Sequence, residues 1–486
     1  MARLYSNDKT QEIDQLAASA LGIDSYALMQ LAGKAIFQHL KENKSLLIIT
    51  GPGNNGGDGF VVAELARKNG QQVKVLALKP VEELKGDARL AADQFNGEVV
   101  VGTDFNVLQD QEIDCVVDAV FGTGLSQPVT GHYADAINWI NNQGVPVCAI
   151  DIPSGLNGTT GKIEGVAVQA TKTIAILARN TGLYTLDGKD CCGNIVFEDL
   201  GVQPKQLEAV VATAQLLSEA DLIQIPKRRS NNSHKGRFGH VLTIGGQAGM
   251  LGAVLLAGSA VLKAGAGSTT IVTDPKHADL LPLYAPELMT YAFDGSACRD
   301  ELHELVSIKP SQVMLLGMGL GQSQWSKQLC KAALKAEVPL VVDADGLSLL
   351  AQAAITPDHL AVITPHPKEA AIMLQMSIAD VQADRWAAVR ALARKYACVA
   401  VLKGSGTLVS DGEHIWCCPF GNANLATAGS GDVLAGMVAG LLSQGFVAEK
   451  AAVLAVTWHA LAGEQSPHGM TMTASDLLST LHLVVS

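Results

Sequence analysis

Charge is scarce in this chain. Only 17% of its 486 residues are charged and 48% are hydrophobic, where an ordinary soluble domain has roughly 25% charged residues. That excludes intrinsic disorder as the main theme. At roughly 150 residues per domain it leaves apolar material for two cores. The nine cysteines are an odd number, with no C-x-x-C pair and no Cys/His spacing suited to zinc. The adjacent pairs Cys191–Cys192 and Cys417–Cys418 suit no disulfide framework, so reduced thiols are expected. The opening MARLYSNDKTQEIDQLAAS lacks the apolar core of a secretion signal. The longest nearly apolar run, Ala248–Leu262, is too short and glycine-rich for a membrane span, and Lys263 ends it. A basic excess is missing as well. The 35 basic and 47 acidic residues leave a net charge of −12, which argues against nucleic acid or an anionic membrane bound by bulk electrostatics. The small basic cluster Lys227–Arg229 reads as a solvated linker. The expected setting is cytoplasmic, with no membrane partner and no nucleic-acid partner.

What the chain does have is glycine, 48 residues or about a tenth of the total, gathered between apolar runs. Leu46–Thr50, Val73–Leu78, Cys115–Asp118 and Val147–Asp151 read as buried parallel strands. Phe60–Lys68, Asp87–Phe95 and His132–Asn141 are helical stretches between them, and a helical stretch from Gln11 to Leu40 leads in. This alternation predicts an open α/β sheet with right-handed crossovers. It breaks after Gly201 in a segment with prolines, a basic patch and a polar run, which places a domain boundary near residue 215. It then restarts: Val241–Gly245, Thr269–Thr273, Val313–Leu316, Leu340–Asp343, Ala361–Thr364 and Cys398–Leu402 read as strands. No short-period repeat is present.

In the first domain GPGNNGGDGF (Gly51–Phe60) follows a strand and opens a helix. It contains G-x-G-x-x-G at Gly51, Gly53 and Gly56, a shape that lets backbone and a helix N-terminus approach a phosphate. The acid that would hold a ribose is missing, since Leu78-Lys79-Pro80 stands there. No Lys-Ser/Thr follows the glycines, which excludes a P-loop. Asp118 and Asp151 close two further strands, followed by FGTGLSQPVTG and IPSGLNG. Ligands in open α/β sheets sit beyond the carboxyl ends of strands, so Asn55, Asp118, Asp151 and Ser154 project into one crevice. Their oxygens suit a hard cation rather than zinc.

GPGNNGGDG, DAVFGTGL and AIDIPSGLNG, in that order, resemble the YjeF N-terminal domain, the NAD(P)H-hydrate epimerase family, over residues 1–215 in a Rossmann-like three-layer fold. The resemblance implies that Asn54, Asn55, Gly56, Gly57, Asp58, Gly122, Thr123, Gly124, Leu125, Ser126, Gln127, Pro128 and Asp151 contact a hydrated nicotinamide cofactor. It also implies that Asn55, Asp118 and Ser154 hold a potassium ion. Gln30 departs from the family, which usually has an acid there. The implied chemistry is inversion at a hydrated ring carbon through loss and return of the hydroxyl, with Asp151 as the proton shuttle.

In the second domain GNANLATAGSGDVLAG (Gly421–Gly436) is the most specific stretch. Ala428–Gly431 form a glycine-rich helix start whose N–H groups make an anion hole, and Asp432 stands in the first turn, placed to take a proton from a hydroxyl. HKGRFGHVLTIGGQAGMLGA, GMGLG, VVDADGL with Asp343 and Asp345, TPHPKEA with His366 and Glu369, and LKGSGTLV complete the pattern. Taken alone, His366 reads as a residue opening a helix and Lys403 as a surface lysine. Together these motifs resemble the ribokinase-like fold and, within it, the YjeF C-terminal family, the ADP-dependent (S)-NAD(P)H-hydrate dehydratases. The resemblance covers roughly residues 225–486 of a domain taken as 216–486. It implies that Ala253, Gly319, His366 and Asp432 line the hydrate site, and that Lys403, Gly404, Ser405, Gly406, Thr407 and Gly431 bind the nucleotide. ADP is the implied phosphoryl donor, with Mg2+ expected against its phosphate charge. AGSGD replaces the family's AGTGD or GGTGD and keeps a hydroxyl at Ser430.

The joined expectation is an enzyme that epimerises (R)- and (S)-NAD(P)H-hydrate and dehydrates the S epimer, as a homo-oligomer. Two readings compete with it: a kinase of a hydroxymethyl compound carrying an accessory domain, and a non-enzymatic nucleotide-sensing module. A dehydrogenase lacks its ribose-binding acid.

Overall fold

A computed structural model describes residues 2–105, 112–125, 127–225, 229–295, 313–353 and 356–485. They form two compact units, Ala2–Ala214 and Gln215–Ser486. Among the described residues no helix is long and apolar enough to cross a membrane.

In the first unit seven parallel strands are ordered Val99–Val101, Gln72–Ala77, Ser45–Thr50, Cys115–Ala119, Val147–Ile150, Lys172–Ile176 and Asn194–Glu198. The chain winds outward one way from Ser45–Thr50 and then returns to start the other way at Cys115–Ala119. The gap between those two strands is the switch point where such sheets bind ligands. Side chains alternate across the sheet. Leu46 and Ile48 pack with Phe60 and Phe37 on one face, while Leu47 and Ile49 pack with Ile137 and Ile140 on the other. That makes three layers. The leading helical stretch is two helices, Asn7–Leu21 and Ser25–Gln38, because Gly22 turns left-handed (φ 69°) and Asp24 caps the second through Ala27 N at 2.8 Å.

The second unit carries a sheet ordered Ile415–Cys417, Leu408–Ser410, Val399–Leu402, Leu360–Ile363, Leu340–Val342, Val313–Leu316, His240–Ile244, Ser268–Thr273 and Met289–Ala292. It is parallel except for the hairpin strands Leu408–Ser410 and Ile415–Cys417. Its switch point lies between His240–Ile244 and Val313–Leu316. Helices Leu251–Lys263, Ser430–Ser443 and Ala448–Gln465 pack together in one large apolar cluster. Two of them touch closely through glycine: a Cβ on Gly436 would stand 2.3 Å from the Ala257 carbonyl oxygen. That contact fixes where the N-terminus of Ser430–Ser443 emerges.

Two expectations change in detail. Val147–Asp151 ends as a strand at Ile150, because Asp151 turns left-handed (φ 65°), a conformation Asp tolerates better than most residues. The helix expected to begin at Phe60 begins at Asn54, so Asn54–Asp58 are helical rather than loop. Glycines are poor helix formers, but packing overrides propensity here. Cβ atoms on Gly56, Gly57 and Gly59 would stand 2.2 Å from the Gly51 carbonyl oxygen, 2.7 Å from Met29 and 2.7 Å from Ala119.

Candidate active sites

The first site begins at Gly51, which passes so close to the next strand that a Cβ would lie 1.9 Å from the Val120 carbonyl oxygen. The helix Asn54–Lys68 starts immediately afterwards, with no side chain capping its first N–H groups. Asn54 and Asp58, one turn apart, line a cavity of about 570 Å³ together with Asp14, Met29, Asp87 and Leu200. Among the described residues no basic side chain lines it. Burial, then the charges of Asp151 and Asp14, push the Asp58 carboxyl well above the usual carboxylate range. Burial, with Asp14 adding repulsion, carries Asp151 to about 7, against a hydrogen bond from Ile176 N. Asp14 keeps an exposed surface, yet desolvation of its carboxyl raises it to about 6. All three carboxyls are thus raised, and Asp151, which does not itself line the cavity, is brought to where it can exchange a proton near neutrality.

Beside them lies an oxygen cluster. The fully buried Asp118 accepts from Ser154 Oγ (2.6 Å), Ser154 N (2.8 Å) and Val120 N (3.2 Å). Burial still raises it to about 6 against those bonds. Ser154 Oγ also accepts from Phe121 N at 2.7 Å. Asn55 is buried with its Nδ2 unpartnered, packed where a Cβ on Gly122 would lie 3.4 Å away. Among the described residues no ion pair reaches Asp118, and no group of three His, Cys, Asp or Glu could hold a metal. One carboxylate with amide and hydroxyl oxygens fits a hard monovalent cation better than a transition metal. The expected ligand loop begins against this cluster. Gly122 lies at Asn55 and the Thr123 carbonyl accepts from Asn7 Nδ2 at 2.9 Å, while Gly124, Gln127 and Pro128 are exposed and Leu125 is half-buried. Ser126 lies outside the described residues. Gln30 is exposed and does not line the cavity.

The second site gathers around the N-terminus of Ser430–Ser443. Gly429 (φ 89°) turns the chain into the helix, and Asp432 sits in its first turn. A Cβ on Gly431 would lie 3.1 Å from Lys403 Nζ and 3.7 Å from Asp343 Oδ2. Lys403 and Gly431 therefore meet, and Lys403 donates to the buried Asp343 at 2.8 Å. It is no surface lysine. Burial works to lower its pKa, but Asp343, Glu369 and Asp432 hold it above the ordinary value. Asp432 is raised to about 7 by burial first and by Asp343 next, with Lys403 pulling it back.

His366 caps the helix Pro367–Leu374. Its Nδ1 accepts from Lys368 N (3.1 Å) and Glu369 N (3.2 Å). Those bonds assign the ring proton to Nε2, which lies 3.3 Å from Glu369 Oε1. Burial and the Lys403 charge lower its pKa, so it is a neutral donor at pH 7. Ala253 and Gly319 face each other: a Cβ on Gly319 (φ 57°) would lie 3.2 Å from the Ala253 Cβ. Gly404 and Ser405 are exposed, Thr407 is half-buried and Gly406 buried, in the turn between strands Val399–Leu402 and Leu408–Ser410. His459, missed in the sequence, fastens the helix start. Its Nε2 lies 3.0 Å from the Ser430 carbonyl oxygen and 3.2 Å from Ser430 Oγ, and burial drops its pKa to about 4.

Set beside known proteins, residues 241–483 match the family model described as NAD(P)H-hydrate dehydratase, and residues 25–182 the model described as YjeF-related protein N-terminus. The chain is 37% identical over 494 residues to the bifunctional NAD(P)H-hydrate repair enzyme of Coxiella burnetii, covering 100% of both chains. A ribokinase-like superfamily protein of Enterococcus faecalis superposes with TM-score 0.52 at 26% identity, over 57% of this chain and 96% of its own. The ADP/ATP-dependent NAD(P)H-hydrate dehydratase of Bacillus subtilis, co-crystallised with ATP and Mg2+, gives TM-score 0.51 at 27% identity, over 56% and 97%. The second unit is thus ribokinase-like and the first Rossmann-like.

Proposed function

The chain belongs to the family of bifunctional NAD(P)H-hydrate repair enzymes, and from that premise we propose that its two units divide the repair between them. Residues 1–215 interconvert the R and S hydrates, and residues 216–486 dehydrate the S epimer with ADP as phosphoryl donor. One observation carries this reading. Each unit holds a half-buried aspartate, Asp151 or Asp432, whose carboxyl is raised to about 7 beside a glycine-rich motif. Each can take or give a proton at neutral pH.

In the first unit Asp151 protonates the departing ring hydroxyl as the ring nitrogen's lone pair expels it. It then takes a proton from the water that returns to the opposite face. Asn54 and Asp58 line the cavity that holds the ring, and Gly56, Gly57, the residues Gly122–Leu125, Gln127 and Pro128 give backbone contact to the rest of the cofactor. Asn55, Asp118 and Ser154 would hold K+, whose charge balances Asp118 and orders the loops around it.

In the second unit Asp432 takes the hydroxyl proton as that oxygen attacks the terminal phosphorus of ADP, releasing AMP. The ring nitrogen then expels inorganic phosphate, the neighbouring carbon gives up a proton, and the ring double bond returns. Phosphorylation is needed because hydroxide is a poor leaving group. Lys403 and the Gly431 N–H face the transferring group. Gly404–Thr407 carry backbone donors for the nucleotide, His366 Nε2 donates to the hydrate, and Ala253 and Gly319 form its wall. Mg2+, when bound, supplies neutralisation of the diphosphate charge. The Bacillus relative, a dehydratase co-crystallised with ATP and Mg2+, supports a nucleotide-dependent reaction in this unit.

Product stoichiometry tests the assignment. Each NADPH restored from hydrate should release one AMP and one inorganic phosphate. A stable organic phosphoester accumulating instead would favour the kinase reading.

A further inference from the structure

Among the described residues Arg385 is the largest side chain of those less than 2% exposed, and it is a cation with no carboxylate partner there. It opens the helix Arg385–Tyr396, where the helix dipole disfavours positive charge. Burial lowers its pKa only to about 10, so it is charged at neutral pH. Its Nη2 donates to the carbonyl oxygens of Leu402 (3.3 Å), Lys403 (3.4 Å) and Gly406 (3.2 Å). Its Nη1 donates to Lys403 O (3.4 Å) and Gln382 Oε1 (3.1 Å), while Nε is buried without a partner. The turn is moulded on the guanidinium: at Gly404 (φ 138°) a Cβ would stand 2.8 Å from Nη1. Burying an unpaired cation is expensive, and stability alone gives no reason to keep one at a helix start.

The gathered carbonyls have a geometric consequence. In a trans peptide C=O and N–H point opposite ways, and the chain has no cis peptides among its described residues. With the Lys403 and Gly406 carbonyls turned inward, the Gly404 and Thr407 N–H groups are turned away from Arg385, toward the exposed side of the turn. We propose that Arg385 is a positioning residue for the nucleotide: it turns the amide edge of the Lys403–Thr407 turn toward the bound diphosphate and anchors the backbone from which Lys403 reaches Asp343. This rests on the reading of that turn as the nucleotide site.

The test uses the full-length chain with Arg385→Met and Arg385→Lys. The Met variant should raise the KM for ADP at least tenfold, with the KM for hydrate within twofold and epimerisation unchanged. Lysine keeps the charge but not the fork, and should fall between Met and wild type. An ADP KM within twofold of wild type in both variants would overturn the proposal. So would equal rises in both KM values, or loss of the second unit's unfolding transition in both variants, since Arg385 would then be a core residue only. Hydrogen–deuterium exchange of the wild-type chain separates the underlying reading. ADP should protect the amides of Gly404 and Thr407; without that protection the turn is not the nucleotide site and the proposal falls with it.

Discussion

Replacing Asp432 by Asn should cost activity and raise stability at the same time. Burial and the neighbouring acids move this carboxyl from 3.8 to about 7. At 1.36 kcal/mol per pH unit that is a ceiling of about 4 kcal/mol by which the ionised side chain weakens the folded second unit above pH 7. The sign follows from linkage. The folded state holds the proton more tightly than the unfolded one, so the penalty is full above the folded value and fades as pH falls from about 7 toward 3.8. Asparagine has no charge to bury. At about 2–4 °C per kcal/mol for a unit of this size, the variant's unfolding transition should rise by roughly 10 °C at pH 8 and by less than half of that at pH 5. ADP-dependent dehydration should fall about 10²–10⁴-fold, the range for losing a general base. The assays are calorimetry of the full chain at both pH values and the recovery of NADPH absorbance. A variant no more stable than wild type at pH 8, or equally stabilised at both pH values, would refute the claim that burial raises the Asp432 carboxyl to about 7.

Three further outcomes follow from the same geometry. Asp151→Asn should slow epimer exchange about 10²–10⁴-fold while leaving dehydration of the S epimer intact; wild-type exchange should show a pH break near 7, and exchange at wild-type rate in the variant would remove Asp151 from the mechanism. Asp118→Asn should abolish any response of epimer exchange to K+ against an equal concentration of a bulky organic cation, and a preserved response would place the ion elsewhere. Gly319→Ala puts a Cβ 2.8 Å from the Met250 Cβ and 3.2 Å from that of Ala253, in a left-handed backbone (φ 57°); the KM for hydrate should rise with little change in that for ADP, and equal changes in both would show that the contact does not wall the hydrate alone.

Much of this was legible in the sequence because of how parallel sheets are built. Strands buried on both faces are unbroken apolar runs, so Leu46–Thr50 and Val313–Leu316 stand out, and the polar residues that end such runs mark the ligand side of the sheet. Asp118 and Asp151 were found that way, while Asp432 was found from the glycine-rich helix start before it. Other features depend on tertiary contacts that no local pattern carries. Three glycines within six residues argue against a helix, yet Asn54–Gly59 is helical because those glycines let it touch Gly51, Met29 and Ala119. Asp14 reads as one more polar residue on a helix until the cavity places it beside Asp58. Arg385, His459 and Lys403 have the types and spacing of ordinary helix and surface residues, and only burial separates them from solvated ones. His366 is both things the sequence offered: it caps a helix and stands in the field of Lys403 and Asp343.

The most direct test of the central claim is the recovery of NADPH absorbance from a mixture of both hydrate epimers, with and without ADP. Two working units predict complete recovery that requires ADP, with the R fraction restored faster than it exchanges spontaneously. Recovery that stalls once the S epimer is consumed, and then creeps at the spontaneous rate, would contradict the epimerase assignment; no recovery with ADP or ATP would contradict the dehydratase.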